Sequence, residues 1–207
     1  MPYDDSESLV DCGDISCVEC SGVYRITPVP GTSFDVFCDV DTFGGPWTVI
    51  QRRFDGSVNF TRNWEDYKRG FGTPYGEYWL GEHGRLHEGW NGTMGYATYR
   101  RFIIGSEADN YQLTIGGFDG DVGDKFTQHS GHYFSTFDRD NDQNRNRHCA
   151  EFGGGGWWYR NCYGANLNGV YLEDNGTDVR YSMNWEYFYP ERRQAPLRNC
   201  TLMVKRK

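Results

Sequence analysis

Two cysteines bound the stretch of this chain that most restricts its fold. Cys149 and Cys162 bracket four consecutive glycines and the adjacent pair Trp157 and Trp158. Glycine gives the backbone unusual conformational freedom, whereas tryptophan supplies large rigid rings that bury well. We therefore expect a closed loop with an aromatic floor, around which the rest of the chain is organised.

Three acidic residues alternate just before that loop, at Asp138, Asp140 and Asp142. In an extended or turning segment, two or three of these carboxylates can converge on one hard cation. Ca²⁺ suits such a segment, because it accepts oxygen ligands in flexible geometry. The alternative is a solvated acidic loop without an ion.

An EF-hand is excluded at this position. Counting from Asp138, its sixth and twelfth places hold Gln143 and Cys149 instead of the required Gly and Glu. If Ca²⁺ binds, backbone carbonyls must therefore complete its coordination. Asn144 and Asn146 are the candidate carbonyl donors, since Asn tolerates the tight turns that point successive C=O groups inward.

Composition excludes two classes of partner and indicates a compartment. The net charge of −8 and the isoelectric point near 5.1 do not suit nucleic acid, whose phosphates need clustered Lys and Arg. No segment approaches the roughly 20 apolar residues that span a bilayer, so membrane insertion is not expected. Seven cysteines and several N-glycosylation sequons together indicate a secreted protein. The sequons begin at Asn59, Asn91, Asn175 and Asn199.

The whole chain, residues 1–207, is predicted to form a single domain. Aromatic residues make up 17% of it and glycines number 27, which indicates a loop-rich fold with aromatic packing and not a helical bundle. The spacing of Trp64, Tyr67 and Phe71 predicts one short helix, ended by neighbouring glycines. Alternating β-branched and aromatic residues predict strands at 22–26, 34–40, 47–53, 78–80, 96–104, 111–115 and 200–205.

Several motifs in a fixed order carry a family resemblance. They are GGPWTVIQRRFDGSVNFTRNWEDYKRGFG, GEYWLG, FSTFDRDND, CAEFGGGGWW and NCYGANLNGVYL. From Asp11 to its C-terminal strand, the chain resembles the fibrinogen-related domains, which are the C-terminal modules of fibrinogen chains, ficolins, angiopoietins and tachylectin-type lectins.

The resemblance implies an α+β fold with a mixed, mainly antiparallel central sheet, few short helices and a loop-rich calcium and ligand-binding region. Its expected subregions are a disulfide-closed N-terminal hairpin at 11–47, a central sheet at 48–115 plus 198–207, and calcium and ligand-binding loops at 116–197.

The resemblance also implies two disulfides, Cys12–Cys38 and Cys149–Cys162. Cys17, Cys20 and Cys200 depart from the family's usual pattern, and the odd total leaves one free thiol or an intermolecular bridge. A zinc or redox role for the Cys17-x-x-Cys20 pair is disfavoured, because no second pair stands at ligand spacing.

In related lectins the ligand pocket lies beside a calcium loop. The resemblance assigns Asp140 and Asp142 as carboxylate ligands of Ca²⁺, the implied cofactor. It also places a cis peptide at Asn161–Cys162, which would turn the N–H groups of Cys162 and Tyr163 toward an acetyl carbonyl.

Several pocket positions depart from the family pattern. Tyr163 stands where His is common, and Val179 replaces a Tyr, although Tyr181 is close in sequence. Phe152 lies beside the place of a displaced aromatic. These changes keep the aromatic content of the pocket but shift its geometry.

Two functions follow as hypotheses. The first is a secreted, calcium-dependent pattern-recognition lectin of innate immunity that binds acetylated or modified glycans on microbial surfaces and gains avidity as a homo-oligomer. The second is a protein-binding module of the angiopoietin or tenascin kind, which would use the same surface for a receptor. An enzyme is not expected, because the chain lacks a GxSxG elbow, a phosphate-binding loop and paired carboxylate and His groups at catalytic spacing.

Overall fold

The structure is a computed structural model that describes residues 9–16, 20–80, 86–89 and 92–206. Within these residues the strands are β1 (Gly22–Val29), β2 (Thr32–Asp39), β3 (Trp47–Arg53), β4 (Phe71–Gly72), β5 (Tyr78–Trp79), β6 (Leu86–Gly89), β7 (Met94–Gly95), β8 (Ala97–Ile104), β9 (Leu113–Gly120), β10 (Ala165–Asn166), β11 (Asn184–Trp185) and β12 (Leu197–Val204). The α-helices of the same residues are α1 (Trp64–Arg69) and α2 (Cys149–Gly153).

The largest element is an antiparallel sheet of eight strands in the described part of the chain. Its order is β1-β2-β3-β12-β6-β7, and β5 pairs with both β3 and β4. The last strand, β12, lies between β3 and β6, with Cys200 opposite Arg53 on one side and His87 on the other. The expected α+β class with a mainly antiparallel sheet and few short helices is confirmed.

The β8–β9 hairpin corrects the expected subregions. It forms a separate two-stranded sheet, whereas the sequence placed residues 48–115 in the central sheet. In addition, β9 continues to Gly120, beyond the predicted start of the loops at residue 116. Glycine is required at that strand end, because a Cβ on Gly120 would lie 2.4 Å from the carbonyl oxygen of Tyr96.

The N-terminal hairpin is part of the main sheet and not a separate unit. Strand β2 pairs with β3 through Cys38 opposite Thr48 and Asp39 opposite Trp47. The Cys12–Cys38 disulfide, with a Cα–Cα distance of 5.5 Å, ties the segment before β1 to this strand. The expected disulfide is therefore present, but the hairpin shares its hydrogen bonds with the central sheet.

Helix α1 forms where the aromatic spacing predicted it. The Asn63 side chain caps its N-terminus by accepting the Asp66 N–H at 2.8 Å. Its buried face carries Trp64 and Tyr67. Gly70 ends the helix with a φ of 81°, in the left-handed region that favours glycine.

The core is built mainly of aromatic rings. Trp157, Trp158 and Trp185 are exposed by 0%, 2% and 1%, so they belong to the interior and not to a ligand surface. Trp157 stacks on Phe126 with their ring centres 5.0 Å apart, and Trp158 meets Phe134 edge to face with their ring centres 5.1 Å apart. The aromatic floor expected beneath the glycine-rich segment is thus present.

The structure shows the state of two of the three cysteines that depart from the family pattern. Cys20 is disulfide-bonded, while Cys17 lies outside the described residues. Among the cysteines that the structure describes, the free thiol is Cys200, which is 1% exposed. Burial raises its pKa to about 12, against an opposing effect of Arg53, so this thiol is neutral and unreactive.

Candidate functional site

The acidic triplet does not act as one unit. Asp138 is committed to the scaffold, because its Oδ1 accepts the Trp64 N–H at 3.0 Å and the Thr136 hydroxyl at 2.7 Å. It thereby ties the loop to the start of α1. Asp140 and Asp142, whose hydrogen bonds lie within the loop and its junction with α2, remain as the two candidate carboxylates for a cation.

Residues 140 to 146 form a run of side-chain-to-backbone turns. Asp140 Oδ1 accepts the Asp142 N–H at 3.1 Å, and Asp142 Oδ1 accepts the Asn144 N–H at 2.7 Å. Asn144 Oδ1 then accepts the Asn146 N–H at 3.1 Å. This repeat of two-residue steps winds the loop tightly, as Asp and Asn side chains favour. The four predicted metal-ligating residues therefore lie together in one loop.

The Asp142 carboxylate carries an electrostatic cost. Burial raises its pKa above the usual value and the adjacent Asp140 carboxylate adds to this, although the N–H groups of Cys149 and Asn144 oppose it. The Cys149 N–H donates to Asp142 Oδ2 at 2.7 Å. A nearby cation would offset both the burial and the repulsion between the two carboxylates.

The donor set fits a hard cation that accepts main-chain oxygen. Across residues 9–16, 20–80, 86–89 and 92–206, no group of three or more His, Cys, Asp or Glu side chains could hold a metal ion. Two carboxylates and the carbonyls of Asn144 and Asn146 are instead the available oxygens. The Asn144 carbonyl accepts only a long 3.4 Å bond from the Arg147 N–H. This chemistry suits Ca²⁺ better than zinc.

A disulfide joins this loop to the segment expected to hold the ligand. Cys149 and Cys162 are bonded, with their Cα atoms 5.3 Å apart. The Asn144 Nδ2 atom lies 3.8 Å from the Cys149 sulfur and 3.7 Å from the Cys162 sulfur. The same Asn thus contacts both halves of the bridge, so the two loops are mechanically connected.

The backbone around Cys162 presents two free donors. The Asn161–Cys162 peptide is cis, at the place the resemblance assigned to it. Within the described part of the chain, the N–H groups of Cys162 and Tyr163 have no hydrogen-bond partner. Asn161 itself is exposed. Two adjacent unpaired N–H groups can donate hydrogen bonds to the carbonyl or carboxylate oxygen of a ligand.

A buried histidine that no sequence pattern predicted supports Gly164 and Ala165, the two residues after Tyr163. His129 is fully buried, and its Nδ1 atom lies 2.6 Å from the carbonyl oxygen of Trp158. Its Nε2 accepts the Gly164 and Ala165 N–H groups at 3.3 and 3.4 Å. Because Nε2 accepts, the proton must reside on Nδ1. His129 is therefore a neutral hydrogen-bond acceptor that holds the backbone of the segment after Tyr163.

The predicted pocket side chains differ in how exposed they are. Tyr163 is only 9% exposed, and its hydroxyl donates to the Arg180 carbonyl oxygen, so it supports the site from inside. Tyr181 is 49% exposed and presents its ring to solvent. Phe152 is half-buried, with the Arg147 guanidinium 4.3 Å from its ring centre. Val179 is half-buried and donates its N–H to the Gln194 carbonyl.

An arginine clamp holds the loop that carries Val179 and Tyr181. Arg192 donates to Asp174 Oδ2 at 2.5 Å and to the Thr177 carbonyl at 2.7 Å. The Asp174 carboxylate also raises the pKa of Arg192. The contacts of this clamp join residues 15 and 18 positions apart, so no local pattern in the sequence predicts it.

The four sequons lie in different environments. Asn59 and Asn175 are exposed, and the Asn175 side chain accepts the Thr177 N–H at 3.1 Å in an open turn. Asn199 lies in β12, which is paired on both sides. Asn91 lies outside the described residues. Exposed turns suit a bulky glycan, whereas a central strand does not.

Comparison with known proteins gives concordant findings. Residues 8–206 match the family model described as the C-terminal globular domain of fibrinogen beta and gamma chains. Human fibroleukin is 40% identical over 197 residues, which cover 84% of this chain and 45% of fibroleukin. The human fibrinogen alpha chain is covered over 24% of its length, so the chain spans less than half of these two curated relatives.

Solved structures agree with the fold. The fibrinogen-like globe domain of human ANGPTL6 superposes with a TM-score of 0.84 at 38% identity, over 96% of each chain. Lamprey fibrin D-dimer, complexed with the peptide Gly-His-Arg-Pro-amide, gives a TM-score of 0.76 at 36% identity, over 88% of this chain and 68% of the other. No helix in the described residues is long and apolar enough to cross a membrane.

Proposed function

Since the chain belongs to the family of fibrinogen C-terminal globular domains, we propose that it is a secreted, calcium-dependent binding module for acetylated or similarly modified glycans on microbial surfaces. The observation that carries this proposal is the pair of unpaired N–H groups at Cys162 and Tyr163, next to the wound loop of residues 140–146. Such a module recognises its ligand without transforming it.

The two N–H groups define what the ligand must offer. An acetyl carbonyl accepts both N–H groups at once, and its methyl group needs a small apolar surface beside them. Tyr181 and the partly covered ring of Phe152 are candidates for that surface. Tyr163 contributes through its backbone and not its hydroxyl, which is used inside the protein.

Calcium would act on the loop and not on the ligand. Asp140 and Asp142 would hold it with the carbonyls of Asn144 and Asn146, and the bound ion would supply positive charge that neutralises the two carboxylates. The Asn144 side chain contacts both sulfurs of the Cys149–Cys162 bridge. Ordering of the loop would therefore stiffen the backbone that carries the N–H groups.

A second candidate is recognition of a peptide or protein by the same surface. It is favoured by one observation, the likeness to lamprey fibrin complexed with a Gly-His-Arg-Pro-amide peptide. Peptide carbonyls can also accept two adjacent N–H groups, and exposed rings such as Tyr181 and Tyr187 suit peptide side chains. In either case one site binds weakly, and we expect several copies in the full-length protein to add avidity.

The test compares two charge-removing variants. Asp142→Asn removes a predicted calcium ligand, whereas Glu151→Gln removes one negative charge from an exposed position of α2 nearby. We expect Ca²⁺ to raise the thermal midpoint of the wild type and of Glu151→Gln, but not of Asp142→Asn. The wild type and Glu151→Gln should also be retained on immobilised acetylated sugar, whereas Asp142→Asn should not. This retention should be lost in chelator.

The outcomes separate the two candidates. Elution by free N-acetylglucosamine and loss in chelator support the lectin. Binding that survives chelator contradicts the calcium dependence. The peptide-binding alternative is supported by two results together. The wild type is retained on no acetylated sugar, and a peptide binds the wild type saturably but does not bind a Tyr181→Ala variant.

A further inference from the structure

A cavity of about 450 Å³ lies away from the predicted ligand loop, between the N-terminal hairpin and the aromatic core. It is distinct from the surface around Cys162, because none of the predicted ligand residues lines it. Small-molecule pockets typically span about 300 to 1,000 Å³ and occur where substructures meet. The walls come from β1, β2, β3, α1, β8 and β12, and include Ile26, Phe34, Ile50, Trp64, Ile104 and Trp158.

Four polar groups on the rings of the walls already donate hydrogen bonds inside the protein. The indole N–H groups of Trp64, Trp79 and Trp158 donate to Glu107, to the Tyr67 carbonyl and to the Tyr111 carbonyl, at 3.1, 3.2 and 2.7 Å. The Tyr67 hydroxyl donates to the Phe60 carbonyl at 2.6 Å. A polar ligand would lose hydrogen bonds to water here and would find these four donors already used.

The charged residues of the walls are already paired. Lys68 Nζ lies 2.8 Å from Glu107. Arg206 contacts both Asp14 at 2.5 Å and Asp11 at 3.5 Å. A ligand carboxylate or ammonium group would have to displace one of these partners. The cavity therefore selects against charge on its occupant.

The chain segments next to the walls in sequence are polar. Residues 1–8 are MPYDDSES and residues 81–85 are GEHGR, and these two segments together contain five charged residues. Their composition does not match apolar walls. We infer that the cavity binds a neutral, apolar small molecule, such as a polycyclic aromatic or a terpene-like compound, at a site separate from the glycan or peptide surface.

The test uses two probes that differ by one charged group. N-Phenyl-1-naphthylamine is neutral, and 8-anilinonaphthalene-1-sulfonate is a close analogue with a sulfonate. The neutral probe should bind the whole chain with a stoichiometry of about one, gain fluorescence, and receive energy transfer from the tryptophans. The sulfonate should bind at least tenfold more weakly. N-Acetylglucosamine and chelator should leave the neutral probe's affinity unchanged.

A matched pair of variants locates the site. Ile104 lines the cavity, whereas Ile103, its neighbour on β8, points to the other face and is 50% exposed. Ile104→Trp fills the cavity and should weaken the neutral probe at least tenfold, while Ile103→Trp should leave it unchanged. Circular dichroism and the thermal midpoint check that both variants fold.

A second measurement does not depend on the variants folding. Addition of the neutral probe to the wild type should shift the NMR methyl signals of Ile104 and Ile50, and leave that of Ile103 unshifted. No saturable binding, equal affinity for the sulfonate, competition by N-acetylglucosamine, equal effects of the two variants, or a shift confined to Ile103 would each overturn the inference.

Discussion

At the scale of single residues, a buried ion pair fixes the turn after β3. Glu77 is fully buried and accepts the N–H groups of Phe54, Asp55 and Gly56 through Oε1 and that of Val58 through Oε2. Arg53, also buried, lies 3.8 Å away. It donates to the Leu167 and Gly169 carbonyls at 3.3 and 3.0 Å. One pair thus joins the sheet to the segment that follows the ligand loop.

Replacing Glu77 by Gln should cost roughly 3 to 5 kcal/mol of unfolding free energy, because it leaves the Arg53 charge buried without its partner. Urea unfolding followed by tryptophan fluorescence measures the change. Glu65→Gln is the control, since it breaks the exposed 3.0 Å pair with Arg69 and should cost at most about 1 kcal/mol. Equal costs for the two variants would contradict this account of the buried pair.

Asp124 gives the fold a dependence on pH. Burial alone would raise its pKa, but hydrogen bonds from Thr127, Tyr99 and Phe126 outweigh burial and hold the pKa below its usual value. The Tyr99 hydroxyl donates at 2.7 Å, and the Phe126 and Thr127 N–H groups at 3.1 and 3.0 Å. A lowered folded pKa means that this stabilisation is complete above the unfolded value of about 3.9 and is lost as the pH falls through the folded value.

Asp124→Asn should therefore lower the urea midpoint at pH 7, and its difference from the wild type should shrink as the pH falls below about 3.9. Equilibrium unfolding at pH 7, 4 and 3 measures both effects. Asp119→Asn, on the exposed face of β9, should change the midpoint little at any of these values. A difference that stays constant from pH 7 to pH 3 would refute the assignment.

Residue-level predictability depends on whether the signal is local. Asp140 and Asp142 stand two apart in sequence, and the turns that unite them are equally local. His129 could not be found this way, because its partners Gly164 and Ala165 follow it by 35 and 36 residues. Nothing in the composition around His129 indicates that it will be buried and used as an acceptor.

At the scale of elements, the sequence predicted which segments are strands better than which strands are neighbours. The alternating pattern of β8 marks it as a strand, but the same pattern suits either sheet. Helix α1 was predictable because its cap and terminating glycine are within a few residues of it. The resemblance implied that the last strand belongs to the central sheet, but neither it nor the periodicity predicted that β3 and β6 are its neighbours.

The loop of residues 174–178 should lose its order when its clamp is removed. Arg192→Met keeps the side-chain stem but deletes the charged hydrogen bonds to Asp174 and Thr177. We expect the free energy of opening this loop to fall by about 1.5 kcal/mol, which makes its open population more than tenfold larger. The change would be seen as faster amide exchange in the loop.

Arg193→Met is the matched control for the clamp. The Arg193 side chain is 60% exposed and pairs with Glu186, outside the loop. Its removal should leave amide exchange at residues 174–178 unchanged. Exchange that is equally fast in both variants, or unaltered in Arg192→Met, would show that the clamp does not hold the loop.

At the scale of the whole molecule, the central sheet is assembled from distant parts of the chain. Strand β12 ends at Val204, yet it lies between β3, which begins at Trp47, and β6. Five of its residues pair with β3 and four with β6. Its removal would expose hydrogen-bonding edges on both neighbours and take the buried side chains of Leu197, Leu202 and Met203 out of the core.

A chain that ends after Pro196 should therefore fail to fold, with lost near-ultraviolet circular dichroism and no cooperative unfolding transition. A chain that ends after Lys205 should fold, since it loses only the exposed ion pairs of Arg206 with Asp11 and Asp14, worth up to about 1 kcal/mol. A cooperative transition in the shorter chain would show that the sheet forms without its last strand.

The place of β12 also bears on biosynthesis. Until Leu197 and the residues after it have been synthesised, the strand edges of β3 and β6 that pair with β12 have no partner. The nascent polypeptide therefore cannot complete its fold. Such an intermediate is prone to edge-to-edge association unless a chaperone shields it. Emergence of β12 from the ribosome, and not the earlier emergence of the hairpins, thus becomes the event that commits this domain to its native state.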